Sequence, residues 1–279
     1  MNKTNYGHYT TQSGLLGIIA SETLWATNIK FLNDEFEFQH ALDLIKEIIP
    51  TSNIKTGHRD HATYKTYIEE LEKQLKSLNN YKSESIFTLS FSEEIDLLSQ
   101  WRGYCPDNNG FCIIFNISKL LEQAKAIYEN VHLVECVYEK KKKESQIKDA
   151  LNNYWTEYLK VTTKKEKKEV IEQLSKEIML LASYFKHPSF SEEKEHRIVV
   201  ILDYAPDNDL KFRKGKFSII PYLELPAPRT FVEKICIGPT LNKKLSERAL
   251  ETFIDTNYEL PVFLSDLEIT HSKTPYRPW

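Results

Sequence analysis

The sequence predicts an α+β protein with a mixed, mostly antiparallel sheet and a helical insertion. Three observations carry this. Short β-rich runs at 85–92, 110–115 and 232–237 recur along the chain. Helical periodicity is inserted among them. One stretch, about 140–185, is almost wholly helix-forming, and clear strands resume after it.

Taken in order, Ser13 reads as the N-cap of a helix whose apolar residues are Leu15, Leu16, Ile18 and Ile19. Leu24-Trp25-Ala26-Thr27 reads as a short strand. Asn33-Asp34 opens a second helix with an apolar stripe at Phe36, Ala41, Leu42, Leu44, Ile45 and Ile48, and Pro50 ends it. A loop at 51–59 and a charged helix at about 60–79 follow. The run 85–92 alternates and reads as a strand, 95–101 as a helical turn, and 110–115 as a buried strand. Another strand is expected at 133–138.

Lysine runs at 140–143 and 164–168 mark the helical insertion, which Thr162-Thr163 divides in two. Its second half carries an apolar stripe at Val170, Ile171, Leu174, Ile178 and Leu181, while its lysines alternate with glutamates as on a solvated face. Strands are expected at 196–202, at 217–225 (broken by Pro221), and at 232–237, ending at Gly238-Pro239. A helix at 242–254 and a strand at 261–264 close the pattern. The whole of 1–279 reads as one domain with the insertion at about 140–185.

Composition bounds the function. A chain of 279 residues buries about three-quarters of its unfolded surface and needs no staple. A formal charge of −3 argues against a dedicated nucleic-acid coat, though not against a local basic patch. The four cysteines, Cys105, Cys112, Cys136 and Cys236, form no C-x-x-C pair and read as reduced thiols. The opening residues lack an apolar core, so no signal peptide is expected. No apolar run reaches about 18 residues, so no membrane span is expected. A cytoplasmic protein follows from these readings.

The common motifs are missing. There is no P-loop, no G-x-G-x-x-G after a strand, no G-x-S-x-G and no H-E-x-x-H. His187, Glu193 and His196 match no common zinc spacing, so no metal site is assigned. Gly238-Pro239 could seat an anion at a helix N-terminus, but a simple turn explains it as well.

Three polar clusters lie beside apolar scaffold: His8-Tyr9-Thr10, Gln100-Trp101-Arg102-Gly103-Tyr104 and Glu192-Glu193-Lys194-Glu195-His196-Arg197. With Leu24-Trp25-Ala26-Thr27, Phe31-Leu32-Asn33-Asp34, Phe91-Ser92, the run 110–115, the run 185–199, Ile235-Cys236-Ile237-Gly238-Pro239 and Thr274-Pro275-Tyr276-Arg277, they resemble a bacterial family known as domain of unknown function 2971. That family usually carries Trp where this chain has His196, which reads as a packing position.

His8-Tyr9-Thr10, an apolar helix and then Leu24-Trp25-Ala26 also resemble the opening of the ADP-ribosyltransferase superfamily. That resemblance implies an ADP-ribosyltransferase-like sheet and NAD as substrate. It implies His8 and Glu195 as catalytic residues, and Ser90, Trp101 or Tyr104 as the middle element. Cleavage of the nicotinamide–ribose bond builds positive charge on the sugar, which an ionised Glu195 would stabilise. His8 and Thr10 would bond a ribose. Tyr9, Trp101 or Tyr104 would stack on nicotinamide. Arg102 or Arg197 would pair with the pyrophosphate.

Structural alternatives stand beside each role. Glu195 and Arg197 could be a same-face surface pair, His8 a hydrogen-bonded core histidine, and Trp101 a core anchor. Arg102 could only neutralise Asp34 or Asp96, and Asn33-Asp34 could be only a helix cap. The resemblance implies a nucleic-acid or protein acceptor, in a defence or toxin–antitoxin setting. A second expectation is a non-catalytic nucleotide or nucleic-acid binding module using the lysines at 140–143. A nuclease would want paired carboxylates; Glu193 and Glu195 alternate suitably, but no further acidic cluster completes that site.

Overall fold

The computed structural model describes residues 5–32, 37–51, 61–81, 86–105, 110–202, 209–257 and 267–276. The chain opens with β1 (Asn5–Thr11), α1 (Gln12–Ser21) and β2 (Thr23–Asn28). Thr11, not Ser13, caps α1: its hydroxyl accepts the Gly14 N–H at 3.2 Å. Two helices follow, α2 (Glu37–Thr51) and α3 (His61–Tyr81), then β3 (Ile86–Ser92) and α4 (Leu98–Tyr104). Helix α4 starts three residues later than the turn expected at 95–101.

Next come β4 (Gly110–Asn116), α5 (Ile117–Ile127) and β5 (Val131–Glu135). The insertion is a pair of helices, α6 (Lys140–Lys160) and α7 (Lys164–Tyr184). They break where expected: Thr163 and Glu166 form a reciprocal capping box at the start of α7. A 3-10 segment (Pro188–Glu193) leads into β6 (Glu195–Ile201), followed by β7 (Lys211–Lys214), β8 (Ile219–Pro226), β9 (Val232–Ile237), α8 (Lys243–Asn257) and β10 (Glu268–His271). The expected Asn33-Asp34 cap, the loop at 51–59 (save Thr51, the last residue of α2) and the strand at 261–264 fall outside the described residues.

The helices stand beside one mixed sheet, so the fold is α+β. Its order is β10-β9-β4-β1-β3-β2-β8-β7, with β6 pairing both β3 and β5. Among the described strands, only β10 and β9 pair in parallel. Strand β3 is the branch point. It pairs with β6 over its full length, Ile86↔Ile201 through Ser92↔Glu195. That occupies one edge. The other edge is shared: β1 meets it only at Gly7↔Ser92, and β2 only at Thr27↔Thr88 and Asn28↔Phe87. Between those ends β1 and β2 diverge, and the sheet splits.

Two apolar cores flank β6. Ile198 and Val200 join the sheet core with Phe87, Leu89 and Ile113. Val199 and Ile201 join a second core built from α2, α3, α6 and α7. Burial on both faces explains why β6 reads as an unbroken apolar run. The insertion is therefore packed, not splayed. Even Lys143 of its lysine run is buried, its ammonium donating to the Lys186 carbonyl at 2.6 Å.

Candidate functional site

Alternation on two paired strands builds the site. Apolar Phe87, Leu89 and Phe91 of β3 enter the sheet core, so Thr88, Ser90 and Ser92 turn the other way. The register sets Ser90 opposite Arg197 and Ser92 opposite Glu195. One polar strip thus runs over two strands at the place where the sheet splits.

Glu195, the first residue of β6, is 5% exposed. Arg197 grips its carboxylate with Nε at 2.7 Å and Nη2 at 3.2 Å. The Lys186 ammonium donates to the same carboxylate and to Glu193 at 2.6 Å. Burial alone would favour the neutral acid. Arg197 and Lys186 overcome it and hold the pKa at about 2. The side chain is a permanent anion at neutral pH. Three donors leave it about one of its roughly four acceptor positions for a ligand hydroxyl. The pair is no surface bridge: the remaining Arg197 donors include Nη1, which bonds the Ser183 carbonyl at 2.7 Å.

His8 sits across the split. Its Nδ1 lies 3.0 Å from the Ser90 carbonyl. A carbonyl only accepts, so Nδ1 carries the proton and Nε2 keeps a lone pair. Burial lowers the pKa, only partly opposed by the Ser90 bond, and favours this neutral tautomer.

Both side chains line one cleft of about 1130 Å³. That exceeds the 300–1,000 Å³ usual for a drug-sized ligand, so an extended molecule fits. Thr10, Ser90, Tyr104 and Arg197 also line it. Tyr104, 38% exposed at the end of α4, can offer a ring face. Gly17 of α1 also lines it, with open space where a Cβ would stand.

Four expected contacts fail. Trp101 is fully buried and does not line the cleft. Its indole N–H needs an acceptor and finds Asp96 at 2.7 Å, while Tyr9 meets it edge-on at 4.8 Å between centroids. It is a core anchor rather than a stacking platform. Tyr9 borders the cleft, but its ring is buried on Trp101. Its hydroxyl donates to the Glu94 carbonyl at 2.7 Å and accepts the Leu97 N–H at 3.0 Å, so it cannot stack on a ligand. Arg102 is exposed outside the cleft, 5.7 Å from the Tyr276 ring. It does not neutralise Asp96, whose carboxylate instead takes Trp101, Ser272, Thr274 and the Lys273 N–H. Arg197 does line the cleft, but the bonds above turn its fork onto Glu195 and Ser183, away from any pyrophosphate.

Other residues join the cleft that the NAD reading had given no role. Lys186, Glu193, Thr88, Trp25 and Arg213 all line the cleft. Lys186 and Glu193 were visible in the 185–199 run. Trp25, 44% exposed, stood in a strand read as scaffold. Arg213 lies on a four-residue strand that periodicity does not mark. His196 stacks on Tyr6 with 4.3 Å between ring centroids. The four cysteines are buried and unpaired with one another, and burial raises the Cys105 pKa to about 12. Among the described residues, no group of three His, Cys, Asp or Glu side chains is placed to hold a metal ion. No helix there is long and apolar enough to cross a membrane.

Residues 100–198 match the family described as Protein of unknown function (DUF2971). That segment runs from α4 through the insertion to β6 and includes Lys186, Glu195 and Arg197. No curated protein and no solved structure matches.

Proposed function

We propose, for a chain whose residues 100–198 match the DUF2971 family, an NAD-consuming ADP-ribosyltransferase-like activity. The observation that carries this reading is one cleft lined by both a neutral His8 and an ionised, buried Glu195. These residues are 187 positions apart in the chain, and only the split sheet brings them to the same opening.

The chemistry suits the groups. Loss of nicotinamide leaves a sugar with oxocarbenium character. A fixed carboxylate beside it lowers that barrier because the charge needs no reorganisation. Arg197 and Lys186 orient Glu195 and keep it ionised, while its spare lone pair can accept a ribose hydroxyl. His8 Nε2 accepts from a second ribose hydroxyl, and Thr10 and Ser90 supply further polar contacts. Tyr104 is the one expected aromatic at the cleft with an accessible ring, and it takes the stacking role against nicotinamide. The acceptor is a nucleic acid or a protein, and the cell's interior and a role in defence fit NAD consumption.

The test is nicotinamide release from NAD by the purified protein, compared with Glu195→Gln and Glu195→Asp well below their melting temperatures. Release by the wild type and its loss in both variants, with circular dichroism unchanged, supports the reading. Equal rates in all three, or no release with any acceptor, removes it.

The alternative, a binding module using lysines 140–143, loses part of its surface because Lys143 is buried and bonded to Lys186. The exposed Lys140, Lys141 and Lys142 remain for it. Binding that weakens steeply with salt and depends on those three would favour it.

A further inference from the structure

Among the described residues, one cation in the cleft has no counter-charge. Arg213, on edge strand β7, reaches back over Trp25, with its guanidinium carbon 5.7 Å from that ring's centroid. Its Nη2 donates to the Thr27 hydroxyl at 3.2 Å. Its Nε is buried and makes no hydrogen bond. Among the described residues no carboxylate lies within ion-pair distance of it. Arg197 and Lys186, the other cations that line the cleft, hold Glu195 and Glu193. A guanidinium is always charged, and taking one from water without a compensating anion is unfavourable. The burial that lowers its pKa has the same origin.

A second orphan lies beside it. Thr88 is 2% exposed, and its hydroxyl has no partner. It lines the same cleft, and the strand register sets it directly opposite Thr27. A buried hydroxyl left unbonded is as unusual as a buried cation left unpaired. Two orphaned donors bracket Thr27, at the β2 side of the split. The Glu195 carboxylate stands toward the β1 side, opposite Ser92.

We infer that Arg213, Thr27 and Thr88 form an anion subsite that takes the diphosphate of a nucleotide, with the exposed part of Trp25, whose ring also packs on Tyr222 at 4.5 Å between centroids, beside the attached base. Arginine meets phosphate oxygens with a planar fork of donors, and Thr88 donates a further bond. The exposed part of an indole gives a purine ring apolar contact. The subsite deepens the proposed function by supplying the pyrophosphate contact that Arg102 and Arg197 do not. Its place in that reaction rests on the reading above; its affinity for diphosphate does not.

Isothermal titration with ADP, with adenosine as the phosphate-free control, tests it. The wild type should bind ADP at least tenfold more tightly than adenosine. Arg213→Gln should lose about tenfold or more in ADP affinity with adenosine binding unchanged. Arg213→Lys should recover only part, because the charge returns without the fork. Thr88→Val should weaken ADP several-fold and melt no lower than the wild type. Equal ADP affinity in wild type and Arg213→Gln, equal affinity of the wild type for ADP and adenosine, or no ADP binding at all would overturn the subsite. Nicotinamide release separates the two readings. Arg213-dependent ADP binding without release keeps the subsite and removes the transferase. Release from NAD at an unchanged KM in Arg213→Gln does the reverse.

Discussion

His8 has one nitrogen left to offer. Nδ1 is committed to the Ser90 carbonyl, so any ligand contact runs through Nε2 as an acceptor. Protonation would turn that acceptor into a donor. Burial lowers the pKa below the ordinary 6.5, so the acceptor survives into mildly acidic solution. The acid limb of nicotinamide release should therefore fall below pH 6.5. His8→Gln should raise KM on the order of tenfold, the worth of one such bond, with a smaller change in kcat. A limb centred at or above pH 6.5 would show that this nitrogen is not used.

Glu195 has the complementary sign. Its folded pKa is depressed from 4.5 to about 2, so its pairing stabilises the fold fully above the ordinary value. That contribution is lost as pH falls from 4.5 toward 2. Glu195→Gln leaves Lys186 and Arg197 short of an anion and should destabilise the protein by about 3 kcal/mol near neutrality. Because the wild type forfeits the same pairing in acid, the difference between the two proteins should shrink as the pH drops through that window. Chemical denaturation at pH 7 and pH 3 checks this. A gap that is constant with pH would mean the carboxylate is not held ionised by its neighbours.

At the level of elements, close approach sets the limits. Strand β9 ends at Ile237, and the N–H of the next residue, Gly238, bonds the Gly110 carbonyl at 2.9 Å. A Cβ at Gly238 would stand 2.8 Å from that carbonyl and 2.9 Å from the Trp101 ring. Neither can yield, since Trp101 is locked by Asp96. Gly238→Ala should cost about 1–3 kcal/mol, read as a lower midpoint in a denaturant series. The expectation of a simple turn at Gly238-Pro239 misses this packing, which depends on a partner 137 residues away in sequence. Much else was legible. The strands at β3, β4, β6 and β9 follow from apolar runs buried on one or both faces, and the break at Thr163 follows from its capping chemistry. Helix α5 went unread because its stripe, Ile117, Leu120 and Ala124, is short and follows directly on β4. Strands β7 and β10 have four residues each, too few for a period. His8 and Glu195 were found because they punctuate long strands. Arg213 was not, because its burial arises from Trp25 and Thr27 on a remote strand.

Across the whole molecule, β6 is shared between two cores. Its Ile198 and Val200 are buried in the sheet core and its Val199 in the helical one, all with no solvent exposure. A two-domain protein would keep such cores separate and join them by a linker; here one strand serves both, and neither core can be exposed without unpairing β6 from β3 and β5. The helical pair α6–α7 should therefore unfold with the sheet and not before it. Trp155 reports on the helical core and Trp101 on the packing of α4 against β1. In variants that retain one of these two tryptophans as the buried reporter, with the others replaced by Phe, both denaturant transitions should share one midpoint and one slope. Val199→Ala, which trims only the helical face, should lower both midpoints together, by the equivalent of about 1–3 kcal/mol. Should the Trp155 transition move alone, the insertion folds as its own unit. Glu195, which begins β6, and Lys186, which follows α7, would then lie on opposite sides of a boundary, and the ionised Glu195 carboxylate would depend on how the two units dock.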